Sequence, residues 1–211
     1  MTHLVFCHGF SYSPNYWVNL TPLLDNFTIH HMDLGYYGDL NTPEIKEPVI
    51  GIGHSLGLIK LMQQNFRFKA LIGLNGFVNF LGTGLHLRNR RSLELDTFEH
   101  LIRTSPNLAL KFFHNRCGVN LNPLNINKER LLGDLDCLRQ SFPVPNNLAL
   151  LATQNDIVCP PDIIQDNFGS EVITMLESGG HGLGYNHAAE VASIIKRKNN
   201  DLDNTGCTIS L

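Results

Sequence analysis

The sequence has little net charge, no long apolar run and no paired cysteine motif, and each absence excludes a class of protein. Its 16 basic and 19 acidic residues leave a formal net charge of −3, which gives no support for a nucleic-acid partner or a bulk anionic membrane. No apolar run reaches the roughly 18 residues that a membrane-spanning helix needs. The five cysteines are scattered and contain no C-x-x-C pair, which is typical of reduced thiols in a cytoplasmic protein.

The remaining bulk features favour one enzyme-sized domain without bound metal. Residues 2–9 lead directly into an apolar strand and lack the basic and apolar regions of a secretory leader, so we expect a cytoplasmic location. A chain of 211 residues can bury the core of one domain with a sizeable insertion. The cysteines and histidines show no metal-ligand spacing, and we expect neither a metal nor an organic cofactor. Oligomeric state stays open.

The most informative stretch is 49–62, which passes from a β-branched apolar run through two glycines into a helical pattern. Gly53, Ser55 and Gly57 form a G-x-S-x-G sequence, the pattern of a nucleophile elbow that exposes a serine hydroxyl on a tight strand-to-helix turn. Glycines suit such a turn because the backbones approach too closely for a Cβ atom. The stretch predicts a serine nucleophile; a glycine-punctuated connection with a surface serine is the alternative.

Short apolar runs alternate with helical patterns along most of the chain. This alternation favours a mostly parallel sheet with helices on both faces. The first helix is predicted to start at Ser13-Pro14 and to bury Tyr16, Trp17, Leu20, Leu23 and Leu24. Between residues 77 and 145 the strand signals stop and three helical patterns follow, which predicts an insertion too long to be a loop. The patterns run from Ser92 to Arg103, from Ser105-Pro106 until Gly118 stops the helix, and from Asn127 to Phe142. We therefore expect a core of residues 1–76 and 146–198, a helical cap of residues 77–145, and a polar tail of residues 199–211. The six predicted strands are Leu4–Cys7, Phe27–Met32, Pro48–Ile52, Lys69–Leu74, Leu148–Ala152 and Glu171–Leu176.

Two further residues follow predicted strands and could activate the serine. A serine hydroxyl is a weak nucleophile at neutral pH and needs a base and a carboxylate that orients the base. In open parallel sheets, functional side chains gather at the carboxyl ends of the strands. Asp156 follows the fifth predicted strand and His181 follows the sixth, which predicts Ser55 as nucleophile, His181 as base and Asp156 as orienting acid. The alternatives are a turn aspartate, a surface-loop histidine, and His187 as a rival base.

An acyl-transfer site also needs donors for the oxyanion and a pocket for the acyl group. Backbone N–H groups suit the first task because they need no reorganisation as charge develops. We expect these donors to be Leu56, which follows the serine, and Phe10, in the loop after the first strand. Phe10, Leu56 and three aromatic residues of the insertion, Phe77, Phe112 and Phe113, are predicted to line the pocket.

Together these residues resemble the α/β-hydrolase superfamily over nearly the whole chain. The matching positions are His8-Gly9-Phe10, the 53–57 turn, Asp156 and His181, with an insertion where that fold carries its lid. The resemblance implies a Ser-His-Asp catalytic triad. It also implies a reduced fold of about six parallel strands, because the usual N-terminal hairpin is missing and the segment 34–47 leaves room for only a short helix.

Within this superfamily the chain resembles the pimeloyl-acyl-carrier-protein methyl ester esterases of biotin synthesis. The similar stretches are 27–34, His8-Gly9-Phe10 followed by Tyr16-Trp17, and 138–140 shortly before 155–160. The resemblance implies a serine esterase that acts on a small-molecule ester or on an acyl ester linked to the carrier protein. A general carboxylesterase, lipase or thioesterase is the alternative, and a non-catalytic binding protein on this fold is the alternative from another class.

The resemblance also implies a role for basic residues of the cap. If the substrate is linked to an acidic carrier protein, cations of the cap would contact that protein or its phosphopantetheine phosphate. The candidates are Arg88, Arg90, Arg91 and Arg139. A solvated face of a helical lid is the alternative for these residues, because charged runs on helices usually serve only to face water.

Overall fold

The chain folds around a parallel sheet. The structure is a computed structural model, and it describes residues 1–120, 125–169 and 173–206. Within these ranges the sheet has six strands in the order β2-β1-β3-β4-β5-β6, and all neighbouring strands are parallel. The prediction of six parallel strands is confirmed; Glu171 and Val172 of the sixth predicted strand lie outside the described residues. The strands are β1 His3–Cys7, β2 Thr28–Met32, β3 Val49–His54, β4 Phe68–Leu74, β5 Leu148–Thr153 and β6 Ile173–Leu176.

Both faces of the sheet are buried because successive side chains of each strand point to opposite sides. In β1, Leu4 and Phe6 belong to one apolar cluster, whereas Val5 and Cys7 belong to another. All four side chains are fully buried. A parallel strand that is apolar on both faces needs helices on both sides, and this requirement produces the three-layer arrangement.

Helices cover the two faces unequally. One face carries the 3₁₀ turns Pro14–Trp17 and Thr21–Leu23 together with the C-terminal helices, and the other face carries the remaining helices. The helices are α1 Leu56–Met62, α2 Leu85–Thr104, α3 Pro106–Cys117, α4 Lys128–Leu138, α5 Pro161–Asn167, α6 Leu183–Asn186 and α7 Ala188–Gly206.

Helices α2, α3 and α4 follow β4 and precede β5, at the place predicted for the insertion. Helix α2 packs against both α3 and α4. Leu95 of α2, Leu110 of α3 and Leu135 of α4 are at most 4% exposed, and they belong to the same apolar cluster as Leu58 of α1. The inserted helices therefore share a continuous apolar layer with the sheet.

Three predicted element boundaries differ from the structure. Helix α2 begins at Leu85 rather than at Ser92. The segment after Ser13 forms two 3₁₀ turns instead of one helix, and Leu23, expected in the core, is 40% exposed. Helix α7 continues to Gly206, so residues 199–206 of the expected tail are helical, and Leu202 packs against the apolar cluster that holds this helix. Residues 207–211 lie outside the described part.

The described ranges contain neither a helix that could span a membrane nor a cluster of metal-binding side chains. None of the helices there combines the length and the apolar character needed to cross a membrane. The same ranges contain no group of three or more histidine, cysteine or carboxylate side chains that could hold a metal ion. The expectation that the protein needs no cofactor stays a prediction.

Candidate active site

Ser55 stands on a strained turn between β3 and α1. Its φ of 53° and ψ of −124° lie in a region that side-chain-bearing residues rarely adopt. A Cβ atom on Gly53 would lie 2.5 Å from the backbone of Leu58, and one on Gly57 would collide with the carbonyl oxygens of Cys7 and His8. The glycines of the G-x-S-x-G sequence are therefore needed because the turn packs directly against β1 and against its own helix.

The structure brings together the three side chains that the sequence proposed. Ser55 Oγ lies 3.0 Å from His181 Nε2, and His181 Nδ1 lies 2.8 Å from Asp156 Oδ2. Each residue follows a different strand, β3, β5 or β6, and all three are at most 4% exposed. The rival base His187 instead lies 3.6 Å from the carboxylate of Glu190.

Asp156 is held so that only one of its oxygens faces the imidazole. Its Oδ1 accepts hydrogen bonds from the backbone N–H groups of Val158, at 2.8 Å, and Cys159, at 2.9 Å. Its Oδ2 is left for His181. The two backbone bonds fix the plane of the carboxylate and hold the side chain in the turn that follows β5.

The loop that carries His181 is tied to neighbouring strands. Asn75, just after β4, donates to the carbonyl oxygens of Gly180 at 2.7 Å and His181 at 3.2 Å. Thr153 also donates to Gly180 O, at 3.0 Å, and the side chain of Asn155 accepts from Gly180 N–H, at 2.9 Å. Sequence reasoning missed Asn75, although its position directly after a strand was the available signal.

His54 also holds the loop that carries His181. Its Nε2 lies 2.8 Å from the carbonyl oxygen of His181 and donates a hydrogen bond to it. The ring stacks on Tyr16, with centroids 4.3 Å apart. Burial, and then the neighbouring His181, hold the pKa of His54 well below its usual range, so the ring stays neutral. Its Nδ1 is buried and has no hydrogen-bond partner in the described part of the chain, which agrees with a neutral ring protonated on Nε2.

The loop after β1 lies close to Ser55, since a Cβ atom on Gly9 would lie 3.1 Å from Ser55 Cβ. It includes Phe10 and Ser11, and Ser11 has a positive φ of 58°. The carbonyl oxygen of Ser11 accepts hydrogen bonds from Tyr37 Oη, at 2.6 Å, and from His114 Nε2, at 2.9 Å. His114 lies on α3 of the inserted helices, so the insertion helps to hold this loop. The sequence did not predict this contact.

A cavity of about 380 Å³ opens beside Ser55, between the serine turn and the inserted helices. Its wall is mostly apolar, and α2 and α4 contribute Leu101 and Leu138. The structure thus places all the residues predicted to bind substrate around one cavity. These are Phe10, Leu56, Phe77, Phe112 and Phe113.

The four arginines proposed to contact a carrier protein do not form one free cationic surface. Arg91 is only 4% exposed and lines the cavity, so its assignment to a surface contact is corrected. Arg139 lies 2.8 Å and 3.0 Å from two carboxylates of α2. Arg90 lies 3.8 Å from a carboxylate of α5, and Arg88 is exposed. Two of the four arginines thus lie near carboxylates and one is buried, so little unpaired positive charge is available on the surface for contact with a carrier protein.

Comparison with known proteins identifies the fold. No family model matches the chain, and no curated protein matches its sequence. Among solved structures, an esterase from Exiguobacterium antarcticum is similar with a TM-score of 0.72 and 14% identity, covering 94% of this chain and 91% of that one. A structure from work on carboxylesterases of Nitrososphaera gargenis has a TM-score of 0.69 and 15% identity, covering 97% and 92%. A Bacillus megaterium epoxide hydrolase has a TM-score of 0.66 and 14% identity, covering 95% and 94%.

These similarities establish the fold class that the sequence predicted. The chain has the α/β-hydrolase fold, with six parallel strands in its described residues and three helices inserted between β4 and β5. The similar structures include esterases and an epoxide hydrolase, so the fold by itself leaves the reaction to be argued from the site.

Proposed function

We propose that the protein is a serine hydrolase that cleaves carboxylic esters through an acyl-enzyme. The supporting observation is the chain of contacts from Ser55 to His181 to Asp156, at 3.0 Å and 2.8 Å, at the edge of an apolar cavity. A nucleophile within hydrogen-bond reach of a base, with a third group orienting that base, is the arrangement that serine acyl transfer requires.

In the proposed reaction, His181 Nε2 accepts the hydroxyl proton of Ser55 while Oγ attacks the ester carbonyl carbon. Asp156 accepts the Nδ1–H bond, which holds the imidazole in the tautomer with a free Nε2 and stabilises the imidazolium. The imidazolium then donates its Nε2 proton to the leaving alcohol oxygen as the C–O bond breaks. Water repeats the sequence on the acyl-enzyme, which releases the acid and restores Ser55.

The oxyanion of each tetrahedral intermediate would accept hydrogen bonds from the backbone N–H groups of Phe10 and Leu56. Leu56 is the first residue of α1, directly after the nucleophile, and Phe10 lies in the loop after β1. The bonds from His114 and Tyr37 to the carbonyl oxygen of Ser11 support a fixed loop. Fixed donors stabilise developing charge without a reorganisation cost.

The narrower proposal is that the substrate is a pimeloyl-acyl-carrier-protein methyl ester, and it rests on the sequence resemblance. The apolar cavity beside Ser55 is compatible with an acyl chain. Complementation of a biotin auxotroph that lacks the methyl ester esterase tests this proposal. Growth that depends on Ser55 supports it, and no growth with soluble, active protein returns the substrate to the general ester class.

The ester hydrolase proposal is tested with p-nitrophenyl butyrate and a fluorophosphonate probe. We expect Ser55→Ala to lower kcat by about 10⁴-fold or more and to abolish labelling, because the nucleophile is lost. Ser141→Ala, at an exposed serine far along the chain, is the matched control and should keep both. A folded wild-type protein that neither hydrolyses the ester nor reacts with the probe would instead support the binding-protein alternative.

A further inference from the structure

The cavity beside Ser55 contains a buried guanidinium that is only partly hydrogen-bonded. Arg91 of α2 lines this cavity and is 4% exposed. Its Nη1 donates to the carbonyl oxygen of Val158 at 2.8 Å. Its Nε is buried and has no hydrogen-bond partner among the described residues. A buried charged group with unused donors is costly unless something pairs with it.

The guanidinium is also held in position before any ligand arrives. Its central carbon lies 4.9 Å from the centroid of the Phe80 ring, an arrangement that arginine favours. Phe80 and Val158 both line the same cavity. The contact with the Phe80 ring and the hydrogen bond to Val158 restrict the Arg91 side chain, so it has little conformational entropy left to lose when a ligand binds.

Nearby charges do not neutralise this group completely. Besides Arg91, the charged residues that line the cavity within the described ranges are Glu94 and Arg116. Glu94 Oε2 lies 3.6 Å from Arg91 Nη1, but the Glu94 side chain is 49% exposed and also lies 3.9 Å from Arg90. Arg116 donates to the carbonyl oxygen of Ile157 at 3.2 Å. The described wall therefore carries two arginines and one glutamate, and the glutamate is about half exposed to water and lies near a third arginine, Arg90.

We propose that Arg91 is an anion subsite, and that the esters cleaved here carry a carboxylate separated from the scissile carbonyl by an apolar chain. The apolar wall would hold the chain, with Leu101, Leu135 and Leu138 among its residues, and the guanidinium would pair with the carboxylate. This inference rests on the proposed ester hydrolase function. An acyl group linked to a carrier protein ends in an uncharged thioester and would gain nothing from this pairing, so the anion subsite is an alternative to the carrier-linked substrate of the narrower proposal.

Two matched substrate series test the proposal. Monomethyl esters of linear dicarboxylic acids are compared with neutral methyl alkanoates of the same chain length. We expect wild-type kcat/KM to be about tenfold or more higher for the half-ester at the best chain length, as a charged hydrogen bond provides. Arg91→Met should lower kcat/KM for the half-ester by about tenfold or more beyond any loss on the neutral ester, which removes the preference, and Arg91→Lys should restore part of it.

Arg88→Met, on the exposed side of the same helix, is the control and should keep the preference. Equal losses on both series in Arg91→Met, or no half-ester preference in the wild type, overturn the anion subsite while Ser55-dependent cleavage of neutral esters leaves the proposed function intact. Absence of hydrolysis and of fluorophosphonate labelling in the wild type overturns the proposed function itself.

A wild-type measurement covers the case in which Arg91→Met does not fold. Hexanoate should inhibit hydrolysis of p-nitrophenyl butyrate with a Ki about tenfold or more below that of hexanamide, because only the acid carries a charge for Arg91. Equal inhibition by the two compounds contradicts the subsite without any variant.

Discussion

Replacement of Asp156 by asparagine is the sharpest test of the proposed mechanism, because the structure fixes how the new amide would sit. Asp156 Oδ1 accepts two backbone N–H bonds, from Val158 and Cys159. An asparagine keeps those bonds only if its oxygen takes the Oδ1 position. Its NH₂ group then faces His181 Nδ1, at the position where Oδ2 now lies 2.8 Å away.

That orientation reverses the imidazole tautomer. The amide can only donate toward Nδ1, so Nδ1 must be unprotonated and the proton of the neutral ring moves to Nε2. Nε2 then cannot accept the proton of Ser55, which lies 3.0 Å away. A wrong tautomer of this kind lowers kcat by about 10⁴-fold in serine proteases, which corresponds to about 5.5 kcal/mol of transition-state stabilisation.

The assay is steady-state hydrolysis of p-nitrophenyl butyrate by wild type and Asp156→Asn. Asp162→Asn, at a carboxylate of α5, is the matched control and should retain wild-type activity. Circular dichroism and thermal unfolding establish that both variants are folded. Retention of more than about a tenth of wild-type kcat by a folded Asp156→Asn would falsify the assigned role, because the altered tautomer requires a far larger loss.

Two further predictions concern packing. Gly57→Ala should lower the free energy of unfolding by about 1–3 kcal/mol or more, because the new Cβ meets the backbone carbonyls of Cys7 and His8. Gly133→Ala should raise the free energy of unfolding by about 0.5–1 kcal/mol, because a Cβ there meets nothing within 4 Å. Urea unfolding measures both changes, and equal effects of the two variants would contradict the close packing of the turn. Burial raises the pKa of Cys117 to about 12 and also raises the pKa values of Cys7 and Cys159. These thiols therefore stay protonated at about pH 8, and iodoacetamide should modify them only after unfolding, as mass spectrometry can establish. Rapid modification of the folded protein would show that they are accessible.

The strands and the three triad candidates could be predicted because their signals are local and their geometry is shared. Each strand is a short apolar run, and all parallel strands end at the same edge of a sheet. A serine, an aspartate and a histidine that each follow a strand therefore converge, whatever the sequence distance between them. Ser55 and His181 are 126 residues apart in sequence and yet lie in hydrogen-bond contact.

Supporting residues were harder to predict because their role appears only when distant segments meet. Asn75 was visible as a residue after β4, but nothing in the sequence indicated that it would donate to two carbonyls of the His181 loop. His114 lies in the middle of a helical pattern, 103 residues from Ser11. A histidine on a helix has many possible partners, and its pattern alone does not select one.

Arg91 illustrates how one helix boundary changes a functional interpretation. A helix that begins at Ser92, as the sequence predicted, leaves Arg91 outside the helix, among the arginines proposed to contact a carrier protein. The helix in the structure begins at Leu85 instead, and Arg91, Leu95 and Ile102 become its buried residues. Residues four apart share a helix face, so the apolar position of Leu95 carries Arg91 inward with it. The charge then lies in the cavity beside Ser55. In the proposed mechanism the strand ends thus determine which residues would attack a carbonyl, whereas the exact start of one inserted helix determines which charge the substrate would meet.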